Sequence, residues 1–494
     1  MKNIPFNNQY VNLGETFYVK TKPATVANPA LIKFNEELAN DLGLSVTSPE
    51  EYTDIFSGNV IPDGAEPLAM AYAGHQFGGF NPQLGDGRAI LLGELDHPSG
   101  VSLSVQLKGS GQTFYSRNGD GCAALGPVLR EYLVSEVMVK LGVPTTRALA
   151  AVTTGEQVAR ERMLPGGVIT RVASSFVRVG TFEFFAARDN YEAVKQLADY
   201  VIEHNYPRVS EYENPYIAFL QAVVDRQANL IAQWMQLGFI HGVMNTDNMS
   251  IAGETIDYGP CAFMDVFDRN KVFSSIDRDG RYAYSNQASI GMWNLTRLAE
   301  TLLPLFAKDS EAAIEIAKSV LETYIETYQR AWLDGMRNKC GLLEVSDKTV
   351  HEDKTLIDSL LDTMAANHAD FTLTFFYLSR LSAQASQEDD AIRKLFDNPA
   401  QFDSWAARWR ERLSNKKYSD VERQEKMQAV NPVYIPRNHQ VEAAIRAAED
   451  HGDFSVFHDL HEVLQNPYRK QKGRDSYMLP PEPHEEVTQT FCGT

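Results

Sequence analysis

The chain has 494 residues, of which 44% are hydrophobic and 22% are charged, and its formal net charge is −19. This composition is globular rather than disordered, and the length predicts two or three lobes rather than one core. The acidic balance argues against a broad nucleic-acid surface, which requires clustered basic side chains.

The cysteines and the apolar runs bound the cellular context. The four cysteines are widely spaced, with no CxxC pair, so they predict neither a zinc site nor a disulfide framework and fit a reducing compartment. The start of the chain has no signal-like apolar core, and no run reaches the roughly 18 apolar residues that a membrane span requires. We therefore expect a cytoplasmic, monomeric protein that binds neither membranes nor nucleic acids.

The first part of the chain contains the most glycine-dense stretch. Within residues 1–65, apolar spacing predicts one helix from Pro29 to Leu42. The glycine-dense stretch, residues 71–95, ends in RAILLGEL, which predicts a strand, and VSLSVQLKG at 101–109 predicts its hairpin partner. The clean alternation of that second strand places Lys108 at its end, on the polar face.

A second loop rich in glycine and polar residues spans 109–127. Pro127 suits a first helical turn, and apolar spacing carries the predicted helix from there to Leu141. Glu131 lies in its second turn, off the main apolar stripe. The segments RALAAVTTGEQVARE and PGGVITRVA predict further strands around a turn.

The remainder is mainly helical in pattern. Helices are predicted at 191–202, 216–237, within 288–335 and 354–415, and from Asn438, before an irregular tail at 471–486. The sequence thus predicts a β-rich lobe followed by a larger helical lobe. The expected division is an N-terminal extension at 1–65, a β-rich nucleotide-binding lobe at 66–190, a helical catalytic lobe at 191–335 and a helical C-terminal extension at 336–494.

The stretch FIHGVMNTDNMSIAGETIDYG, residues 239–259, carries the polar residues of greatest interest. MSI and TI predict two short strands, and the glycine between them predicts a hairpin turn. Such a hairpin would bring Asn248 and Asp257 to the same end. Amide and carboxylate oxygens are the ligands that hold Mg²⁺ on nucleotide phosphates, so the pair predicts a metal site.

The order of these features is that of a bilobal, protein-kinase-like α+β fold. Gly85 and Gly87 would let backbone amides approach phosphates. Lys108 would neutralise phosphate oxygens and be held by Glu131. Each feature alone is weak, because glycine-rich turns and solvated charged residues are common.

One departure from the kinase pattern concerns the catalytic base. A kinase carries its base Asp five residues before the metal-binding Asn, and that position here is Val243, which cannot accept a proton. Either Asp247 takes over this role or the chain is a silent nucleotide-binding scaffold. Arg171 and Arg178 would fall on opposite faces of one unbroken strand, so only a bend at 173–175 would let both reach one phosphate group.

At these residues the chain resembles the selenoprotein O family, a protein-kinase-like fold once regarded as a pseudokinase. The resemblance extends from about residue 70 to the C-terminus. It is carried by AYAGHQFGGFNPQLGDGRAILLGE, QLKGSGQTFYSRNGDG, ALGPVLREYLVSE, PTTRALAAVTTGE, TRVASSFVRVGTFEFFAAR, FIHGVMNTDNMSIAGETIDYGPCAFMD, VFSSIDRDGRYAY, NPVYIPRNHQVEAAI and FCGT.

The resemblance implies transfer of AMP from ATP to Ser, Thr or Tyr hydroxyls of proteins, with ATP flipped relative to an ordinary kinase and Mg²⁺ or Mn²⁺ as the metal. It also implies use of UTP with Mn²⁺. Asp247 matches the proton acceptor, Asn248 and Asp257 match metal ligands, and Glu131 matches the partner of the lysine. The positions that match ATP contacts are Gly85, Gly87, Arg88, Lys108, Asp120, Gly121, Arg171, Arg178 and Asp257. An ordinary γ-phosphoryl transferase would use the same residues with ATP unflipped.

Two positions differ from the family pattern. The usual GDGRAALGP has a basic residue where this chain has Cys122, so a cation beside the second loop is missing. Cys492 lies near the C-terminus, where animal members carry selenocysteine, which suggests a redox role as a hypothesis. A Cys492 disulfide found by mass spectrometry after peroxide treatment would support this role, and a free thiol would exclude it.

Overall fold

The computed structural model describes residues 4–44, 48, 52–97, 100–344, 346–414 and 418–491. Cys492 lies outside these residues. Within them the chain is α+β, with a sheet-rich N-terminal part and a helical C-terminal part, as the sequence predicted. The described part contains no helix that is both long and apolar enough to span a membrane.

The strands form one large sheet and two small antiparallel pairs. The strands are β1 Tyr18–Lys20, β2 Ala30–Phe34, β3 Leu68–Met70, β4 Gly74–Gln76, β5 Gly79–Asn81, β6 Ala89–Asp96, β7 Ser102–Lys108, β8 Ala123–Ala124, β9 Arg147–Ala159, β10 Met163–Ala173, β11 Phe239–Ile240 and β12 Ala262–Phe263. In the large sheet the order is β1-β3-β6-β7-β10-β9-β2, with β8 paired to β10, while β4 pairs with β5 and β11 with β12.

The helices are concentrated in the C-terminal part. They are α1 Glu36–Asp41, α2 Thr53–Ser57, α3 Leu125–Lys140, α4 Val179–Ala186, α5 Tyr191–Asn205, α6 Pro215–Leu237, α7 Gln287–Phe306, α8 Ser310–Cys340, α9 Asp347–Ala366, α10 Phe371–Leu378, α11 Asp389–Arg393, α12 Pro399–Leu413, α13 Asp420–Gln428, α14 Asn438–His451 and α15 Ser455–Leu464. The predicted helices at 191–202 and 216–237 are confirmed as α5 and α6.

The predicted hairpin of β6 and β7 is confirmed, and its two faces serve different purposes. The strands pair antiparallel, with Ala89 opposite Lys108. Val105 and Leu107 join an apolar cluster that α1 and α2 cover. Gln106 and Lys108 point the other way but are also buried, at 0% and 9% exposure. The polar face of β7 therefore lines an internal site rather than the protein surface.

The predicted helix from Pro29 to Leu42 is wrong in its first half. That half is β2, an edge strand that pairs with β9, and α1 follows after Asn35. Ile32 and Phe34 are buried at a spacing of two, which suits a strand, while the Asn35 side chain accepts from Leu38 N at 3.1 Å and caps the helix. Strands from the first 65 residues thus belong to the main sheet, and the expected domain boundaries stay a prediction.

Helix α3 begins two residues before the predicted start at Pro127 and is buried on nearly all sides. One side packs against β9 and β10, and another packs against α14 and α15. Tyr132 contacts both Phe457 and His461 of α15, with ring centroids 5.8 and 5.6 Å apart. This double packing explains why even Glu131, off the apolar stripe, is only 4% exposed.

The hairpin predicted within 249–256 is wrong. Ser250 bridges Arg178 and Thr255 bridges Thr145, so the two short segments pair with distant parts of the chain rather than with each other. The predicted turn does exist, with Gly253 at a φ of 75°. Helix α4, which follows β10, was not predicted, since no element was assigned to residues 181–186.

Candidate active site

The site is organised around the carboxylate of Asp257, which three cationic side chains contact. Lys108 Nζ lies 3.0 Å and Arg171 Nη1 2.7 Å from its Oδ1, and Arg178 Nη1 donates to its Oδ2. Burial alone would raise the pKa of Asp257, but Arg178, Lys108 and Arg171 hold it well below its usual range. The Asp257 carboxylate is therefore ionised. It connects the sheet-rich N-terminal part of the chain to the helical C-terminal part.

A second carboxylate, Glu131, holds two of these cations from the other side. Its Oε2 lies 2.7 Å from Lys108 Nζ, and its Oε1 lies 3.1 Å from Arg171 Nη1. Burial would raise the pKa of Glu131, but Lys108 and Arg171 lower it. The expected pairing of a strand-end lysine with a helical glutamate is thus present, since β7 ends where α3 passes behind it.

The bend that the two arginines require is also present. β10 ends at Ala173, and Arg178 stands at the N-terminal end of α4, so the chain turns between the two arginines. Both guanidinium groups are buried, at 1% and 3% exposure. Arg171 and Arg178 therefore reach the same carboxylate, which a continuous strand would not allow.

Asp247 lies beside this cluster under the β4–β5 hairpin. Its Oδ2 accepts from Gln76 Nε2 at 3.0 Å, and its backbone oxygen accepts from Arg178 Nη1 at 2.5 Å. A Cβ at Gly74 would stand 2.5 Å from Asp247 Oδ1, so only glycine permits this approach. Burial raises the pKa of Asp247 to about 6.

A buried histidine, His241, stabilises the loop that carries Asp247. His241 is fully buried, stacks on Trp234 at 5.4 Å and donates from Nε2 to the Ile256 backbone oxygen at 2.8 Å. Burial lowers the pKa of His241. His241 therefore connects the start of this loop to the segment that ends at Asp257.

Asn248 and Asp257, the predicted metal ligands, line the same cavity. Asn248 Nδ2 donates to the Val243 backbone oxygen at 3.0 Å, which leaves its amide oxygen for a metal. No cluster of three or more His, Cys, Asp or Glu side chains suited to a metal occurs among the residues described. A two-residue set is typical of Mg²⁺, which takes its other ligands from phosphates and water.

The two glycine-rich loops pack against each other at the mouth of the site. Gly85 has a φ of 75°, and a Cβ there would stand 2.2 Å from the Tyr115 ring. A Cβ at Gly87 would stand 2.9 Å from the Tyr115 backbone oxygen. These glycines therefore permit close contact between the loops, and their part in the approach of backbone amides to phosphates stays a prediction.

Sequence reasoning missed several buried polar residues of the site. Asp86 Oδ2 accepts from Gln106 Nε2 at 3.1 Å, and Gln106 in turn accepts from Arg171. Burial raises the pKa of Asp86 to about 6. The signal for Gln106 was its place on the same strand face as Lys108, whereas nothing local pointed to Gln76.

One cavity of about 750 Å³ brings the expected residues together. Its lining includes Gly85, Gly87, Arg88, Lys108, Asp120, Gly121, Arg171, Arg178, Asp247, Asn248 and Asp257, while Glu131 stands behind Lys108. Buried cations at an ionised carboxylate suit a triphosphate with a metal, and a second carboxylate suits proton transfer. Fold and site together fit the class of nucleotide-dependent transferases.

Comparisons with known proteins give the family. The family model described as "Protein adenylyltransferase SelO" matches residues 1–465, and the chain belongs to this family. It is 56% identical to a protein of Rhodopseudomonas palustris (strain BisB18) over 495 residues, which cover 100% of this chain and 99% of that protein. It is also 56% identical over 490 residues to a protein of Rhizobium meliloti (strain 1021), with 99% of each covered. Both relatives are named "Protein nucleotidyltransferase YdiU".

Proposed function

We propose that this protein transfers AMP from ATP to Ser, Thr or Tyr hydroxyls of other proteins, in a kinase-like site that binds ATP in the flipped orientation. The observation that carries the proposal is the contact of Arg178 with both acidic residues. Its Nη1 donates to the Asp247 backbone oxygen and to the Asp257 carboxylate. A candidate base and a candidate metal ligand thus lie around one cation in one cavity.

The proposed reaction is a displacement at the α-phosphorus. The acceptor hydroxyl gives its proton to the Asp247 carboxylate while its oxygen forms a bond to the α-phosphorus. The bond from that phosphorus to the bridging α–β oxygen breaks, and pyrophosphate leaves with the electron pair. Val243, where an ordinary kinase has its base, is an apolar side chain with 6% exposure, so it can supply no base.

Lys108, Arg171 and Arg178 are proposed to bind the triphosphate. Arg171 and Arg178 contact the Asp257 carboxylate, and each is less than 4% exposed. A flipped nucleotide places its β- and γ-phosphates at this end, so these cations balance the charge of the leaving pyrophosphate. Glu131 keeps Lys108 and Arg171 in place.

Asn248 and Asp257 are proposed to hold Mg²⁺ or Mn²⁺. When bound, the metal neutralises phosphate charge and fixes the orientation of the triphosphate. Asp257 has a φ of 61°, in the left-handed region, and its side chain lines the same cavity as that of Asn248. The proposal further includes a monomeric, cytoplasmic enzyme and use of UTP with Mn²⁺.

The test compares ATP labelled at the α-phosphate with ATP labelled at the γ-phosphate. The protein is incubated with a mixture of candidate acceptor proteins and Mg²⁺ or Mn²⁺, and label on protein is measured after gel separation. Label from α-labelled ATP alone is expected, and loss of this label in Asp247→Asn, with ATP binding retained, would assign the base. Label from γ-labelled ATP would indicate a kinase, and no label from either would indicate a silent nucleotide-binding scaffold.

A further inference from the structure

Arg160 lines the cavity near Asp120, and it is not among the residues that the family resemblance assigns to the site. It lies in the turn between β9 and β10 and lines the same cavity as Asp120 and Gly121. Its side chain is 17% exposed. The residue lies beside Cys122, at which the usual basic side chain of the second loop is missing.

The guanidinium edge of Arg160 is saturated by hydrogen bonds. Nη1 donates to Asp120 Oδ2 at 2.8 Å and to the Ala159 backbone oxygen at 2.7 Å. Nη2 donates to Asp120 Oδ1 at 3.1 Å and to the Cys122 backbone oxygen at 3.0 Å. Each Nη carries two hydrogens, so all four are used, and Nε is buried without a partner.

A saturated edge limits what Arg160 can offer a ligand. It has no Nη hydrogen left for a phosphate, and the Asp120 carboxylate offsets its charge. What remains is the flat face of the guanidinium, which stacks well on planar aromatic rings. The bidentate contact with Asp120 fixes this plane, so little conformational entropy is lost when a ring lies on it.

The two ends of the cavity therefore suit different parts of a nucleotide. Lys108, Arg171 and Arg178 form a cationic cluster for phosphates, whereas the charges of Arg160 and Asp120 offset each other in an ion pair. The bridge between Ser110 and Cys122 places the second loop just beyond the end of β7, so both ends belong to one continuous site. A triphosphate at the first end leaves the base directed toward the second.

We propose that Arg160 is a nucleotide-binding residue that stacks its guanidinium face on the base of the bound nucleotide, held in that plane by Asp120 and the Cys122 backbone. This inference rests on the proposed function, because it requires a nucleotide in the cavity. Arg160 would thus supply the cationic side chain beside the second loop that is missing at Cys122. Any purine or pyrimidine base can stack on such a face, and a larger ring gains more stacking energy.

The test compares dissociation constants for ATP and for inorganic tripolyphosphate, both with Mg²⁺, by titration calorimetry. Arg160→Lys keeps the charge beside Asp120 but removes the plane, and we expect ATP to bind about fivefold more weakly. Arg160→Ala removes the whole guanidinium and leaves Asp120 unchanged, and we expect about a tenfold weaker Kd for ATP. Tripolyphosphate should bind within twofold of the original protein in both cases.

The matched control is Arg162→Lys in the same turn. Arg162 is 53% exposed, pairs with Asp450 at 2.9 Å and does not line the cavity, so neither Kd should change. Equal weakening of tripolyphosphate and ATP would overturn the inference in favour of a phosphate contact, and an unchanged ATP Kd in both variants would overturn it outright. Failure of the original protein to bind either probe would instead refute the proposed function.

Discussion

Gln76 donates from Nε2 to Asp247 Oδ2 at 3.0 Å, which joins the β4–β5 hairpin to the loop that carries the candidate base. The same hairpin is fixed to that loop by His75 N, which donates to Thr246 Oγ1 at 2.7 Å. The amide of Gln76 thus sets the orientation of a carboxylate that contacts little else through its side chain. Gln76 is a positioning residue for Asp247.

Gln76→Ala should lower the rate of AMP transfer about tenfold, because the Asp247 carboxylate loses the hydrogen bond that orients it. The Kd for ATP should stay within twofold, since Gln76 holds the base and not the cationic end of the cavity. The measurements are label transfer from α-labelled ATP and calorimetric ATP binding. Gln83→Ala, on the exposed loop that follows β5, is the control, and an equal loss there would contradict the assignment.

Asp257→Ala should abolish AMP transfer and metal-dependent ATP binding together. The substitution removes a metal ligand and leaves Lys108, Arg171 and Arg178 without the carboxylate that separates their charges. Transfer of α-label and ATP binding with and without Mg²⁺ check the result. Asp279→Ala, in an exposed loop, should leave both unchanged, and activity retained in Asp257→Ala would remove this residue from the site.

Metal and nucleotide should bind cooperatively. Three cations already contact the Asp257 carboxylate, so a divalent ion alone meets repulsion there. Phosphates attract the same cations, which frees carboxylate oxygen for the metal, and the coupling is reciprocal. Titration of Mn²⁺, followed by electron paramagnetic resonance, should show at least tenfold tighter binding with α,β-methylene-ATP present. Equal Mn²⁺ affinity with and without the nucleotide would contradict this account.

Glu449→Gln should destabilise the protein by about 1 kcal/mol. Helix α3 has no side-chain cap of its own, and Glu449 Oε1 accepts from Gly126 N at 2.8 Å in its first turn. A carboxylate is favourable at this end of a helix, and a neutral amide is less so. Chemical denaturation measures the change, and Glu462→Gln is a control because that side chain is 72% exposed. Equal stability of the two variants would argue against the cap.

The free energy of unfolding should rise with pH above 7 because of Lys339. This side chain is 3% exposed, with Nζ 4.5 Å from the Phe375 ring centroid, and burial lowers its pKa to about 7. In the unfolded chain its pKa returns to about 10.4, so between these values the unfolded state binds the extra proton. The contribution is at most about 1.4 kcal/mol per pH unit.

Lys339→Met should remove that rise. Denaturation at pH 7 and pH 9 gives the difference in unfolding free energy for each protein, and the variant should show a smaller increase than the original chain. Lys394→Met, at an exposed position on the helical part, should keep the original pH dependence. An unchanged pH dependence in Lys339→Met would show that the buried ammonium does not carry the effect.

Much of the fold followed from local pattern. The alternation of β7 predicted its hairpin and placed Lys108 on its polar face, helical spacing predicted α3, and the kinase-like order of features predicted the pairing of Lys108 with Glu131. Such patterns can be recognised in the sequence because buried side chains repeat with the period of the strand or helix that carries them. The bend between Arg171 and Arg178 was predicted only as the condition for a shared target, and the structure contains it.

The errors and omissions share a different cause. Ser250 and Thr255 pair with segments far away in the chain, so a local hairpin pattern was misleading there. Gln76 and Asp247 are 171 positions apart, and no spacing rule connects them. The strand β2 was mistaken for helix because its few apolar residues fit both periods, and only its pairing with β9 decides between them.

The contact between Glu449 and the first turn of α3 bears on how the protein is made. Helix α3 leaves the ribosome more than three hundred residues before its cap, since Gly126 and Glu449 are 323 positions apart. Until α14 and α15 are synthesised, the face of α3 around Tyr132 stays uncovered. The cavity also requires Asp247, Asn248 and Asp257, so the N-terminal part of a nascent chain cannot form the nucleotide site by itself.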